Sequence, residues 1–139
     1  MEDTLITFKT AKLAKEKGFR ESVLDAFEKD GARSKERTLE GGYYDYNYNG
    51  SESYSAPTQS VLQKWLREKY SIDIGIVKEV NKYLMIVYNI IMSDSCNASP
   101  YRDLINLEVN CDTYEEALEF ALEKGLTLID INLIIDNEG

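Results

Sequence analysis

Histidine is absent from this 139-residue chain. Its absence removes the commonest general base, the Ser-His and Cys-His nucleophile pairs, and most zinc sites. Cysteine is scarce: Cys96 and Cys111 match no metal-ligand spacing. Without an export signal they read as two reduced thiols. Two prolines and eight glycines are too few for a linker-dominated chain. No stretch approaches the ~18 apolar residues of a membrane span. The opening MEDTLITFKTAK has no basic region followed by an apolar one, so neither a membrane nor export is expected. For the same reason the N-x-S patterns at Asn49 and Asn97 carry no glycosylation reading. Neither G-x-G-x-x-G nor G-x-x-x-x-G-K-[ST] occurs, so no glycine-rich phosphate cradle is expected.

What is abundant is negative charge. Twenty-five Asp and Glu oppose sixteen Lys and Arg, a net charge of −9. An acidic surface raises the cost of approaching nucleic-acid phosphates, so general nucleic-acid binding is disfavoured. Basic residues still cluster at Lys9, Lys12, Lys15, Lys17 and Arg20, and again at Arg33, Lys35 and Arg37. Both clusters read first as solvated helix surface and loop.

The length suits one domain, 1–139. Residues 7–18 read as a helix: Phe8, Ala11 and Ala14 recur at helical spacing, Thr7 caps the start and Gly18 ends it in a Schellman turn onto Phe19. A second short helix is expected over 21–29, with Gly31 closing it. Residues 31–56 lose periodicity and read as a Tyr-rich loop or hairpin insert. Within it YYDYNYNGSESYS alternates aromatic with polar residues, as a strand arm does, and Asn49-Gly50 supplies a turn.

Ser55 then reads as an N-cap with Pro57 in the first turn of a helix. Val61, Leu62, Trp65 and Leu66 form its apolar face, with Gln63, Lys64, Arg67 and Glu68 opposite. After Tyr70 the period drops to two through Ile72, Ile74 and Ile76. KYLMIVYNIIM, 82–92, reads as a central strand buried on both faces, paired with 72–79 in a hairpin. Loop follows over 93–103 and a third strand over 104–109. Thr113-Tyr114-Glu115-Glu116 is a capping box opening a helix that either stops at Gly125 or runs on through Leu128. Residues 127–135 read as a last strand or as a helix end and tail. The pattern points to an α+β fold, a small antiparallel sheet of three to four strands packed on three to four helices and covered on one face.

Chemistry is thinly supported. Asp45-x-Asn47-x-Asn49-Gly50 imitates the first half of an EF-hand, but position 12 is Ala56 where a bidentate Glu is required. A turn with local Asn and Asp bonds accounts for it better. No catalytic residue, metal ligand or cofactor is assigned. The carboxylates on the last helix, Glu115, Glu116 and Glu119, read as solvated. Trp65 reads as core.

The tyrosines offer more. Tyr43, Tyr44, Tyr46, Tyr48 and Tyr54 give wide amphipathic contact area at low rotamer cost, the composition that interfaces favour. Beside Arg33, Lys35 and Arg37 the same rings suit stacking a base and holding a phosphate. These eight residues are the candidate binding set.

Three blocks, SAPTQSVLQKWLREKYSIDI, ITFKTAKLAKEKGF and TYEEALEFALEKGLTLI, together resemble a small family of phages and prophages of gut Bacteroidetes. They cover about 50 residues in the same order, and the first is the most specific. The resemblance implies a phage or prophage setting and a last block that runs on as helix. It implies no activity, so no catalytic residue is carried over.

The expected protein is therefore a non-enzymatic, cytoplasmic, phage-associated one. It would act in the host cell by binding a protein partner or by self-association into a homo-oligomer. The alternative from a different class is sequestration of a small signalling nucleotide by Arg33, Lys35, Arg37 and Tyr46. An enzyme using carboxylates or Cys96 and Cys111 stands third.

Overall fold

The structure, a computed structural model, describes residues 4–33, 49, 52–80, 82–90 and 101–129, with backbone alone for 88–90 and 101–107. Those residues form an α+β protein. Its helices are α1 (Phe8–Glu16), α2 (Gln59–Tyr70) and α3 (Tyr114–Thr127). Its strands are β1 (Ala26–Phe27), β2 (Tyr54–Ser55), β3 (Ile72–Glu79), β4 (Lys82–Ile90) and β5 (Tyr101–Val109). β1 and β2 pair as one antiparallel sheet, and β3-β4-β5 form a second. The chain clusters into two compact units, Met1–Gln59 and Ser60–Gly139.

In the first unit α1 starts and stops on its own sequence. Thr7 Oγ1 accepts from the Thr10 N–H at 3.3 Å. At the other end Gly18 takes φ +94°, its N–H donates to Lys15 O, and the Phe19 N–H donates to Ala14 O. These are the two bonds of a Schellman ending. Ala11, Ala14 and Phe19 are fully buried.

The helix expected over 21–29 does not form. Residues 26–27 pair instead with 54–55, Ala26 opposite Ser55 and Phe27 opposite Tyr54. A tight turn follows: Glu28 N–H donates to Ala32 O, Gly31 N–H to Glu28 O, and Gly31 sits at φ +91°. Nine residues are too few to hold a helix without tertiary support, and here the tertiary partner is a strand. The same pairing displaces Ser55 from its expected capping role, since α2 begins only at Gln59. Ala56 precedes a proline and favours the extended region. The chain stays extended through Pro57, whose carbonyl accepts from Ile6 N–H, to Thr58, which bridges Leu5.

In the second unit Leu62, Trp65 and Leu66 of α2 are buried, but Val61 is 42% exposed, so the apolar stripe is narrower than its sequence implies. Ser71 links α2 to β3 in a left-handed conformation, φ +56°. An L-residue there is strained by ~1–2 kcal/mol, partly offset by the unfolded-state entropy that glycine adds. Ser71→Gly is expected to stabilise the protein by about 0.5 kcal/mol in urea unfolding; a destabilised variant would contradict this.

The β3–β4 hairpin has the expected register, Glu79 opposite Lys82 and Ile72 opposite Asn89, and β4 is the central strand. Its burial alternates, however. Tyr83, Met85 and Val87 are buried while Leu84 and Ile86 are only half-buried, because α3 packs on one face of the sheet. β5 begins at Tyr101, earlier than the expected 104.

α3 opens as its capping box requires, with Thr113 Oγ1 accepting from Glu116 N–H. The Glu116 carboxylate reaches one residue further back, to the Asp112 N–H. The helix passes through Gly125 and is capped at Leu128, so residues 127–129 end a helix rather than begin a strand. Residues 130–135 lie outside the described residues.

Candidate binding surfaces

Of the candidate binding set, Tyr54 and Arg33 are described; Tyr43, Tyr44, Tyr46, Tyr48, Lys35 and Arg37 lie outside the described residues. Tyr54 on β2 is half-buried. Its ring meets Phe8 edge-on at 5.4 Å, and Lys15 Nζ stands 4.6 Å over it while donating to Ser53 O at 3.0 Å. Phe8 also meets Phe27 edge-on at 5.7 Å, and Lys12 Nζ lies 5.4 Å from the Phe8 ring. The early basic cluster is thus not merely solvated: two of its lysines cover aromatic rings. Arg33 is held by Asp25 at 2.8 Å, so one cation of the proposed phosphate grip already serves a carboxylate.

Asn49 was read from sequence as a turn residue. It is 4% exposed and ties three segments together. Its Nδ2 donates to Phe19 O at 2.8 Å, just past the end of α1. Its Oδ1 accepts from Ser55 N–H at 2.8 Å, and its own N–H donates to Ser55 Oγ at 3.2 Å. Asn49 is therefore a buried polar anchor that joins the end of α1 to β2. This amide is committed to backbone groups, which leaves it poorly placed to serve the imitated calcium loop.

The larger three-stranded sheet offers a different surface. Val77 lies opposite Leu84 and Gly75 opposite Ile86, so these share the face turned away from buried Ile74, Met85 and Val87. Val77 is 48% exposed, and Val80 at the hairpin tip is 94% exposed. Beside them Lys82 donates to Glu108 at 2.7 Å and pairs with Glu79 at 3.7 Å. The Glu108 hydrogen bond holds the Lys82 ammonium above the usual lysine range, and the charges of Glu108 and Glu79 add to the shift.

The β3 edge is partly closed. Gln63 Nε2 donates to Ile74 O at 3.1 Å, and the Ile74 N–H donates to Asp73 Oδ1 at 2.8 Å. Side chains thus occupy backbone groups that would otherwise recruit a further strand. Burial pushes the thiol of Cys111, just before α3, above the usual cysteine range, and the Glu116 and Asp112 charges push it further. Among the described residues no cluster of three His, Cys, Asp or Glu could hold a metal ion, and no helix is long and apolar enough to cross a membrane.

Sequence reasoning passed over both the Asn49 anchor and the exposed valines of the hairpin. The first needed knowledge of which loop meets Phe19. The second was signalled by valine at a hairpin tip, where turn residues are normal. The chain matches no family model, no curated protein and no solved structure.

Proposed function

We propose that this is a non-enzymatic binding protein, acting through protein–protein contacts inside the host cell of a phage or prophage. The observation that carries this reading is the set of aliphatic side chains left on the β3–β4 hairpin: Val80, 94% exposed, Val77, 48% exposed, and half-buried Leu84 and Ile86. Val77, Leu84 and Ile86 share one face of the hairpin and Val80 stands at its tip, and exposed apolar surface of this kind marks contact sites when it is contiguous. Tyr43, Tyr44, Tyr46 and Tyr48 are the second contact element of the proposal.

Affinity capture from host extract with the tagged chain tests it. One variant carries alanine at Tyr43, Tyr44, Tyr46 and Tyr48; another carries Val77→Ser with Val80→Ser. Each should lose at least tenfold of a captured partner while keeping its melting temperature. Equal recovery by both variants and the parent would refute the reading.

A further inference from the structure

Asn49 is followed by Gly50, the sole Asn-Gly pair in the chain. Such a pair carries a latent reaction of its own. Glycine has no side chain to shield its backbone nitrogen, and its backbone reaches conformations closed to other residues. The Gly50 nitrogen can therefore attack Cγ, the side-chain carbonyl carbon of Asn49. A bond forms between that nitrogen and Cγ, the proton of the nitrogen passes to water, and the Cγ–Nδ2 bond breaks to release ammonia. Water then opens the cyclic imide at either carbonyl, leaving aspartate or isoaspartate. In sum an amide and water give a carboxylate and ammonium, with no change of oxidation state.

The folded first unit works against each step. The Asn49 amide is held at both ends: Nδ2 donates to Phe19 O at 2.8 Å, and Oδ1 accepts from Ser55 N–H at 2.8 Å. The Asn49 N–H donates to Ser55 Oγ at 3.2 Å. Turning Cγ toward a new bond breaks these contacts where water cannot replace them. Asn49 is 4% exposed, so the water that takes the proton and opens the ring is scarce. Phe19 and Ser55 both belong to the unit Met1–Gln59, so opening that unit frees the amide. The product does not fit back. A carboxylate oxygen stands where Nδ2 donated to Phe19 O, and isoaspartate also reroutes the main chain through its side-chain carbon.

We propose that Asn49-Gly50 is a gated deamidation site: inert while the first unit is folded, reactive once it opens, and closed to refolding after it has reacted. The modification records opening in one direction and limits how long a molecule of this chain keeps its first unit intact.

The test follows the full chain by peptide-mapping mass spectrometry. The readout is the mass gain of the peptide that holds residue 49, with chromatography separating its aspartate and isoaspartate forms. In urea, where the unit is unfolded, Asn49 should convert faster than any other asparagine, and Gly50→Val should suppress the conversion. In native buffer it should be at least about tenfold slower, because a slow chemical step tracks the equilibrium population of the open form. Thr7→Ala removes the cap at the opposite end of α1 from Phe19. It should raise the native rate about fivefold and leave the urea rate unchanged. Gly18→Ala serves if Thr7→Ala leaves the melting curve unmoved, since φ +94° disfavours alanine while nothing crowds its Cβ. Converted chains, separated by ion exchange, should melt below the parent. Equal rates in urea and native buffer overturn the gate, and so does a native rate unmoved by a variant that lowers the melting curve. Converted chains that melt with the parent overturn the one-way step. Gly50→Val as fast as the parent in urea overturns the site itself.

Discussion

Asn49→Ala is expected to destabilise the unit built from residues 1–59 by about 3 kcal/mol, a loss read as a fall of about 12–24 °C in the far-UV circular-dichroism melt. The size follows from burial. The amide makes two side-chain hydrogen bonds, to Phe19 O and from Ser55 N–H, at a position only 4% exposed. Each such bond contributes about 1 kcal/mol net, and stripping a buried group of its partner costs about 1–3 kcal/mol. Alanine also leaves a void where the amide stood. Asn49→Asp should be worse, despite identical shape. It places a carboxylate oxygen where Nδ2 now donates to Phe19 O, so two acceptors face each other and a charge is buried. Alanine and aspartate variants within 1 kcal/mol of the parent would show that the anchor contributes little.

The second large effect is expected at Gly125. A Cβ built there would lie 3.2 Å from Leu66 Cδ1 and 3.6 Å from both Ile72 Cγ2 and Ile74 Cδ1. α3 approaches the α2–β3 corner closely at this residue because it has no side chain. Gly125→Leu forces three or four atoms into that space and should cost about 3 kcal/mol through overpacking. Gly125→Ala is a sharper probe. The helix gains about 1 kcal/mol of propensity, and the closest neighbour is the end of a flexible leucine that yields a few tenths of an ångström. The alanine variant should fall within about 1 kcal/mol of the parent. Fluorescence of Trp65, the sole tryptophan and a buried residue of α2, reports both in urea. A leucine variant as stable as the parent would mean that the helix stands further off.

The two sites show where sequence reading succeeds and where it stops. α1 was legible end to end, because its cap at Thr7 and its ending at Gly18 are local devices whose partners lie within five residues. The β3–β4 hairpin was legible because a change of period from 3.6 to 2 and a two-residue gap leave one register. The same reasoning failed at 21–29, where a weak helical pattern was overruled by a strand from residues 54–55. At Gly125 it left two endings open, and the helix takes the longer one, through a glycine that serves as a packing site. Of the candidate binding set, Tyr54 and Arg33 proved to be engaged within their own unit, by Lys15 and Phe8 and by Asp25.

By itself the sequence determined the α+β class, the hairpin register, the caps at Thr7, Gly18 and Thr113 and the absence of imidazole chemistry. These depend on residue type and on neighbours a few positions away. Only the tertiary structure decided that Asn49 is a buried clamp, that burial alternates along β4, and that Val77 and Val80 are exposed on the hairpin. Each depends on which distant segment arrives beside it, and local pattern does not encode that arrival.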